Sequence, residues 1–368
     1  MHGQNILVCL TSLTRGGAEQ LALRLAGDWA AQGASVILAT LLEAAHPMPL
    51  PAGVTHVALH HPGDTGTLPA RLIGTLACLR RLRALIRASR PDVVVAHVDR
   101  TNVMALLASR GLGTPIVVVE HNHPVRHPIG RAWNMLRWRT YPTATCIIGV
   151  SQGVVDALPP SCRARAVAIP NWIEPPPPDL PQPAIGSERV VAMGRLVPQK
   201  GFDVLIDAFA QVAARRPGAT LTIWGRGDNQ PLEQQAATLG ITRAVTFAGF
   251  TEDPRAALLS GHVLAFPSRY EGFGLALGEA MALGLPVVAA DCEAGPGELV
   301  RDRIDGLLVP PENTAALAEA LLRVLQDADL AHRLGAAARD ITDRFSFERA
   351  RMSWARLIAR CTGRTPPG

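Results

Sequence analysis

Lysine is nearly missing from this chain: of its 36 basic residues only Lys200 is a lysine, and the others are arginines. In a chain that otherwise avoids the residue, that position suggests a specific anionic contact rather than general solubility. The six cysteines, Cys9, Cys78, Cys146, Cys162, Cys292 and Cys361, include no C-x-x-C pair. That argues against a structural zinc site or a disulfide framework and leads us to expect a reduced, cytoplasmic protein. The opening stretch MHGQNILVCLTSL lacks the charged start, apolar run and cleavage site of a signal peptide, so none is expected. No apolar run reaches the ~18 residues of a membrane span. Aromatic residues make up 4% and are not interleaved with the cations in an RNA-binding pattern, so no nucleic-acid partner is expected.

What is present is a chain of 368 residues, 48% apolar and 18% charged, long enough for two domains with separate cores. A net charge of +5 and a pI of about 9.2 suit an anionic partner. Composition alone does not choose among a sugar nucleotide, an acidic membrane and nucleic acid. Short apolar runs alternate with helical patterns, which predicts an α/β fold. Strands are expected over 5–10, 36–41, 55–59, 91–97, 115–120 and 146–150, and again over 190–193, 219–224, 245–247, 263–266 and 286–290. Between the two sets, NWIEPPPPDLPQPAIG (171–186) carries too many prolines for a helix or an inner strand. We therefore expect a Rossmann-like domain over 1–170, a linker over 171–187 and a second Rossmann-like domain over 188–348.

Ligands of open α/β sheets collect at the carboxyl ends of strands, which singles out four loops. Gly16-Gly17 follows the first strand; it is not G-x-G-x-x-G and alone fits a plain turn as well as a phosphate cradle. His121, in EHNHP at another strand end, is placed to donate to a sugar hydroxyl or a phosphate oxygen, the alternative being a surface histidine. With His123 and His127 it lacks the cysteine or carboxylate spacing that would complete a metal site. Gly194-Arg195 and Lys200-Gly201 put two cations just before a helix, where one diphosphate can meet both, although the spacing is not that of a Walker A loop. Finally, FPSRYEGFGLALGEAMALGLPVVAA (266–290) brings Glu271, then Gly272, Phe273, Gly274 and Leu275 at a helix start whose amides suit phosphate. Glu279 is the only charge on the apolar helix that follows. Buried there, its carboxylate needs a partner, either a sugar diol or a core arginine. Two further stretches, 71–90 and 126–141, are rich in arginine, the second also holding Trp133, Trp138 and Tyr141. They suit an anionic membrane surface or a lipid-linked acceptor, or else solvated faces with tryptophans packed inward.

The spacing of Glu271 and Glu279 and the run EGFGLALGEAMALGLPVVAAD resemble those of retaining GT-B glycosyltransferases, family GT4 in particular. The resemblance extends to Gly16-Gly17-Ala18-Glu19, to the Gly194-Arg195 and Lys200-Gly201 segment, and to Ser151 after its strand. It implies two Rossmann-like domains facing a central cleft, with the last helix, 349–368, packing back on the first. It also implies transfer of a sugar, with retention, from a nucleotide-sugar to a hydroxyl of a glycan or lipid-linked acceptor in bacterial surface polysaccharide or glycoconjugate synthesis. The donor expected is UDP-linked; a GDP-sugar, or an epimerase or hydrolase acting without acceptor, is the alternative. In these terms Arg195, Lys200 and the amides from Gly272 to Leu275 hold the diphosphate, and Gly16 and Gly17 approach it and the acceptor. Glu271 holds sugar hydroxyls, Glu279 the ribose diol, His121 a hydroxyl near the reacting carbon, and Phe250 lies at the nucleobase. No metal or resident cofactor is expected, since the only Asp-x-Asp, Asp327-Ala328-Asp329, falls in a helical surface region. The loop from Cys292 to Glu298 resembles the C-x-x-G-P-S-E segment of GT4 enzymes handling N-acetylhexosamines, with Gly297 in place of the serine. That departure leaves the donor between an N-acetylhexosamine and a hexose. A cytoplasmic location is expected, with contact to the inner membrane face left open.

Overall fold

The computed structural model describes residues 1–364 other than 15, 45, 46, 62 and 64–66. Arg15 of the first glycine loop, and residues 365–368 of the expected last helix, lie outside the described residues. The chain divides into two compact units, Met1–Pro170 with Glu348–Gly368, and Asn171–Phe347.

In the first unit the strands are β1 (Asn5–Leu10), β2 (Ser35–Thr40), β3 (Val54–Ala58), β4 (Val93–His97), β5 (Ile116–Glu120), β6 (Cys146–Gly149) and β7 (Ala166–Ala168). They form one parallel sheet in the order β3-β2-β1-β4-β5-β6-β7. β4 and β5 are buried at every position, as central strands covered on both faces must be, and accordingly read as unbroken apolar runs up to their last residue. The covering helices include α1 (Gly17–Ala31), α2 (Leu68–Ser89), α3 (Asp99–Ser109) and α4 (Arg131–Thr140). Strand order reverses between β1 and β4, so the loops leaving those two strands diverge and open a crevice at their carboxyl ends.

The second unit repeats the plan with β8 (Arg189–Met193), β9 (Thr220–Trp224), β10 (Val245–Gly249), β11 (Val263–Phe266), β12 (Val287–Ala290) and β13 (Leu307–Val309). The order is β10-β9-β8-β11-β12-β13, and the reversal here falls between β8 and β11. α5 (Phe202–Arg215) buries Phe202, Leu205, Ile206, Phe209 and Val212, a three-and-four spacing that turns one face to the core. α6 (Leu275–Ala282) and α7 (Thr314–Gln326) complete the elements used below. Asp327 of the Asp-x-Asp is a helix cap, accepting from the Leu330 amide at 2.8 Å.

Residues 171–187, expected as a spacer, are instead part of the second unit's packing. Trp172 and Ile173 are buried, the Trp172 ring meets Phe347 edge-on at 4.9 Å, and the Ile173 amide donates to the Phe345 carbonyl at 2.8 Å. Farther along, the Gly186 amide donates to His262 Nδ1 at 2.9 Å. The prolines forbid regular structure there, but they do not forbid burial. The last helix, α8 (Phe347–Thr362), starts at the end of the second unit and spends the rest of its length in the first. There Trp354 is buried against Trp29, ring centroids 5.6 Å apart.

Candidate functional site

In the second unit the loops leaving β8 and β11, the two strands at the reversal, are bonded together. The Arg269 amide donates to the Gln199 carbonyl at 2.8 Å, Gln199 Nε2 donates to the Tyr270 carbonyl at 3.0 Å, and Arg269 Nη1 donates to the Pro198 carbonyl at 2.7 Å. Arg269 also forks onto both Asp203 carboxylate oxygens, at 2.8 and 2.7 Å, which holds that carboxyl below its usual range and fixes the start of α5. Across this frame Lys200 Nζ reaches Glu271 Oε1 at 2.5 Å, with the two side chains only 16% and 8% exposed. The lone lysine is therefore held, charged and partly desolvated, at the point where strand order reverses.

Glycines allow the close approach. The Lys200 stem lies over Gly194, where an added Cβ would stand 3.2 Å from its Cδ and Cε. Gly201 has φ +65° and faces the Pro267 carbonyl oxygen, which a Cβ would meet at 2.2 Å. Gly201→Ala should therefore cost more than about 1 kcal/mol of second-unit stability, because strain and clash both fall on rigid backbone. Chemical denaturation checks this, and a cost near zero would mean that the loop is not fixed in this way.

Gly274, in the left-handed region at φ +98°, ends the Glu271 loop and opens α6. Gly274 has no side chain with which to cap this helix, and its first-turn amides have no intrahelical acceptor. Leu275 supplies one of those amides. Gly272 and Phe273 lie buried just before them, but the Phe273 ring belongs to the core, edge-on to Phe345 at 5.5 Å, so that residue can offer a ligand only its backbone. Glu279 departs from expectation more clearly. Rather than being buried with a partner, it is exposed, and no hydrogen bond or ion pair forms with its carboxylate among the described residues. Crowding by surrounding protein still pushes its carboxyl above the usual range, opposed by the charge of Arg255. The apolar letters around it come from the other faces of α6.

Beside these loops the Gly225 amide donates to the Gly249 carbonyl, and the Leu196 amide to the Arg226 carbonyl, both at 2.8 Å, joining the ends of β8, β9 and β10. Arg195 is exposed, its charge opposing the upward push that burial gives the Tyr270 phenol. Phe250 is exposed too, with the Arg226 guanidinium 3.9 Å above its ring. The sequence reading missed Arg226, and it missed Ser268, whose buried hydroxyl has no hydrogen-bond partner among the described residues. At Gly297 a Cβ would stand 2.5 Å from Asp291 Oδ1, so a serine there requires that carboxylate to move.

In the first unit the reversal carries Gly16 and Gly17 on one side and His97 on the other. Gly16 is the N-cap of α1, with the Glu19 side chain close beside it, and Thr11 Oγ1 meets Thr101 Oγ1 at 2.9 Å. His121 is half-buried. Its Nε2 lies 3.0 Å from His97 Nδ1, and burial pushes its pKa down to about 4, so the ring is neutral at pH 7. His97 is held neutral by burial and by His121, and its ring also stacks on Trp354 of α8, centroids 6.3 Å apart. Behind this pair lies a buried polar network that sequence reasoning did not find. Tyr141 donates to Glu120, Asn102 Nδ2 donates to the Tyr141 hydroxyl at 3.0 Å, and fully buried Arg137 lies 3.4 Å from Asp99 and 3.9 Å from Glu120. Tyr141 is therefore a core residue and not part of an interfacial aromatic set. Among the described residues no three His, Cys, Asp or Glu side chains are grouped to hold a metal, and no helix is long and apolar enough to cross a membrane.

Comparison with known proteins agrees with this geometry. The model of "Glycosyltransferase Family 4" matches residues 15–176, and that of "Glycosyl transferases group 1" matches 182–341. A phosphatidyl-myo-inositol mannosyltransferase of Mycobacterium leprae is 30% identical over 356 residues, covering 90% of both chains. An exopolysaccharide phosphotransferase of Streptomyces coelicolor is 34% identical over 202 residues, 54% of this chain but only 21% of that longer protein. Among solved structures, Anabaena HepE in complex with UDP and glucose superposes with a TM-score of 0.80 at 22% identity, over 97% of this chain and 99% of that one. With both units matched and a relative similar along nearly its whole length, the chain belongs to the family 4 glycosyltransferases and has their GT-B architecture of two parallel-sheet units.

Proposed function

We propose that this glycosyltransferase moves a hexose or N-acetylhexosamine from a UDP-sugar to a hydroxyl of a glycan or lipid-linked acceptor, with retention and without a metal. The observation that carries the reading is the Lys200 ammonium held against Glu271 beside the open amides at the start of α6. A departing diphosphate develops negative charge, and fixed cations and amides at that position stabilise it without having to reorganise. Arg195 adds a second cation, Glu271 a hydroxyl-binding carboxylate, and Glu279 is open for a ribose diol. As the glycosidic bond to the diphosphate breaks, the acceptor oxygen bonds the same face of the anomeric carbon. The leaving phosphate oxygen takes the acceptor proton, so no separate base is needed. Neutral His121 is suited to hydrogen-bond a hydroxyl and unsuited to take up a proton at pH 7. A place in surface polysaccharide or glycoconjugate synthesis, at the cytoplasmic side with basic helices near anionic lipid, agrees with this chemistry.

A GDP-linked donor is the second reading, favoured by the mannosyltransferase of M. leprae. A thermal-shift screen across UDP-, GDP- and ADP-sugars separates the two. One UDP-sugar should raise Tm for the wild type and much less for Glu279→Ala, and turnover should persist in EDTA. Equal shifts in wild type and Glu279→Ala would remove the ribose assignment; turnover lost to EDTA and restored by manganese would remove the metal-free mechanism.

A further inference from the structure

The first unit contains a cavity of about 440 Å³ that the transfer chemistry does not use, within the ~300–1,000 Å³ range of small-molecule sites. Its base lies at the carboxyl edge of the sheet, where Thr11 follows β1, Leu41 and Leu42 follow β2, and Arg100 stands in the first turn of α3. Its walls are helical. Leu72, Leu76 and Leu79 come from α2, facing Leu107 of α3 and Trp133 and Leu136 of α4.

The form of α2 explains why this space is open. Its 22 residues bury only Cys78, Leu82 and Ile86, none of them in the first ten residues. Leu68, Leu72 and Leu76, four residues apart on one helix face, line the cavity yet keep 67%, 58% and 52% of their surface exposed. A leucine stripe left to solvent along a cavity marks a binding surface. Charge then selects the occupant. Neither α2 nor α4 carries an acidic residue, and Arg71 and Arg100 are among the described lining residues, none of which is acidic. Aliphatic walls on two helices that carry arginines and no acidic residue suit an alkyl or isoprenoid chain on an anionic head. The position at the carboxyl edge favours a substrate over bulk membrane lipid.

We propose that this cavity takes the hydrocarbon chain of a phosphate-bearing acceptor amphiphile. The acceptor role rests on the transfer reading above; chain binding does not. The probe is a series of n-alkyl phosphates from butyl to dodecyl, added to the full chain without nucleotide. Tryptophan fluorescence reports binding, with Trp133→Phe identifying the reporter. Affinity should rise about fourfold per added methylene. It should fall at least about tenfold in Leu76→Glu, which sets a carboxylate against the chain. Nucleotide-induced stabilisation of Leu76→Glu should match wild type, since the residue lies in the other unit, and an unchanged far-ultraviolet circular dichroism spectrum serves as the folding control for the first unit. Affinity that ignores chain length, or is unchanged in Leu76→Glu, overturns the proposal. So does binding to phosphatidylglycerol vesicles with none to monomeric dodecyl phosphate, which would make the face a membrane contact. Nucleotide stabilisation without chain-length dependence removes the cavity assignment alone. Dodecyl phosphate binding with no nucleotide stabilisation upholds the cavity and removes the transfer reading.

Discussion

Lys200→Ala should lower kcat by about 10²- to 10³-fold at saturating donor, the size of effect seen when one preorganised charge stabiliser is removed from a transition state. The same variant should lose most nucleotide-induced stabilisation. Its free form should also be less stable by roughly 1–3 kcal/mol, because Glu271, 8% exposed, then lacks the partner now 2.5 Å away. Lys200→Arg should not restore activity. The lysine stem passes over Gly194 with no room to spare, and a planar guanidinium presents a fork where a point charge is held. Steady-state kinetics with urea denaturation of the free proteins tests both parts. A kcat within twofold of wild type would falsify the assignment of Lys200 to the leaving diphosphate.

The second large effect concerns pH. Burial lifts the Glu120 carboxyl from 4.5 to about 7; Arg137 opposes this, Asp99 adds to it, and the bonds from Tyr141 and Asn102 oppose it. The folded state therefore favours the protonated acid relative to the unfolded chain. This stabilisation is fully present below about pH 4.5, declines as pH rises toward 7, and is gone above that. By linkage it amounts to about 3 kcal/mol in the first unit. Glu120→Gln, which keeps the shape and cannot ionise, should flatten that slope between pH 4.5 and 7. Denaturation midpoints across the range provide the measurement, and a slope identical in the two proteins would assign the pH dependence to other groups.

The parts of this protein legible in its sequence are those where local composition and tertiary role agree. β4 and β5 announce themselves as apolar runs because both faces are covered, and Lys200 stands out because nothing else in the chain is lysine. β7 and β13, three residues each at sheet edges, are too short to carry a periodic pattern, and neither was expected. Glu279 was misjudged because its neighbours' apolarity belongs to other faces of a short helix. The Asp99, Glu120, Arg137 and Tyr141 network was invisible for a different reason: its members come from three separate segments, and each alone looks like an ordinary helix residue or strand end. Arg226 over Phe250 is likewise a contact between two loops distant in sequence.

The route of α8 bears on how the protein is made. Trp354, against Trp29 and His97, is translated only after the whole of the second unit, roughly 10–30 s later at common ribosome speeds. During that interval the amino-terminal half must wait on the ribosome with an apolar slot unfilled, while the inserted half can complete its own core first. Chaperone dependence and sensitivity to stalled synthesis should therefore concentrate in the portion that emerges earliest.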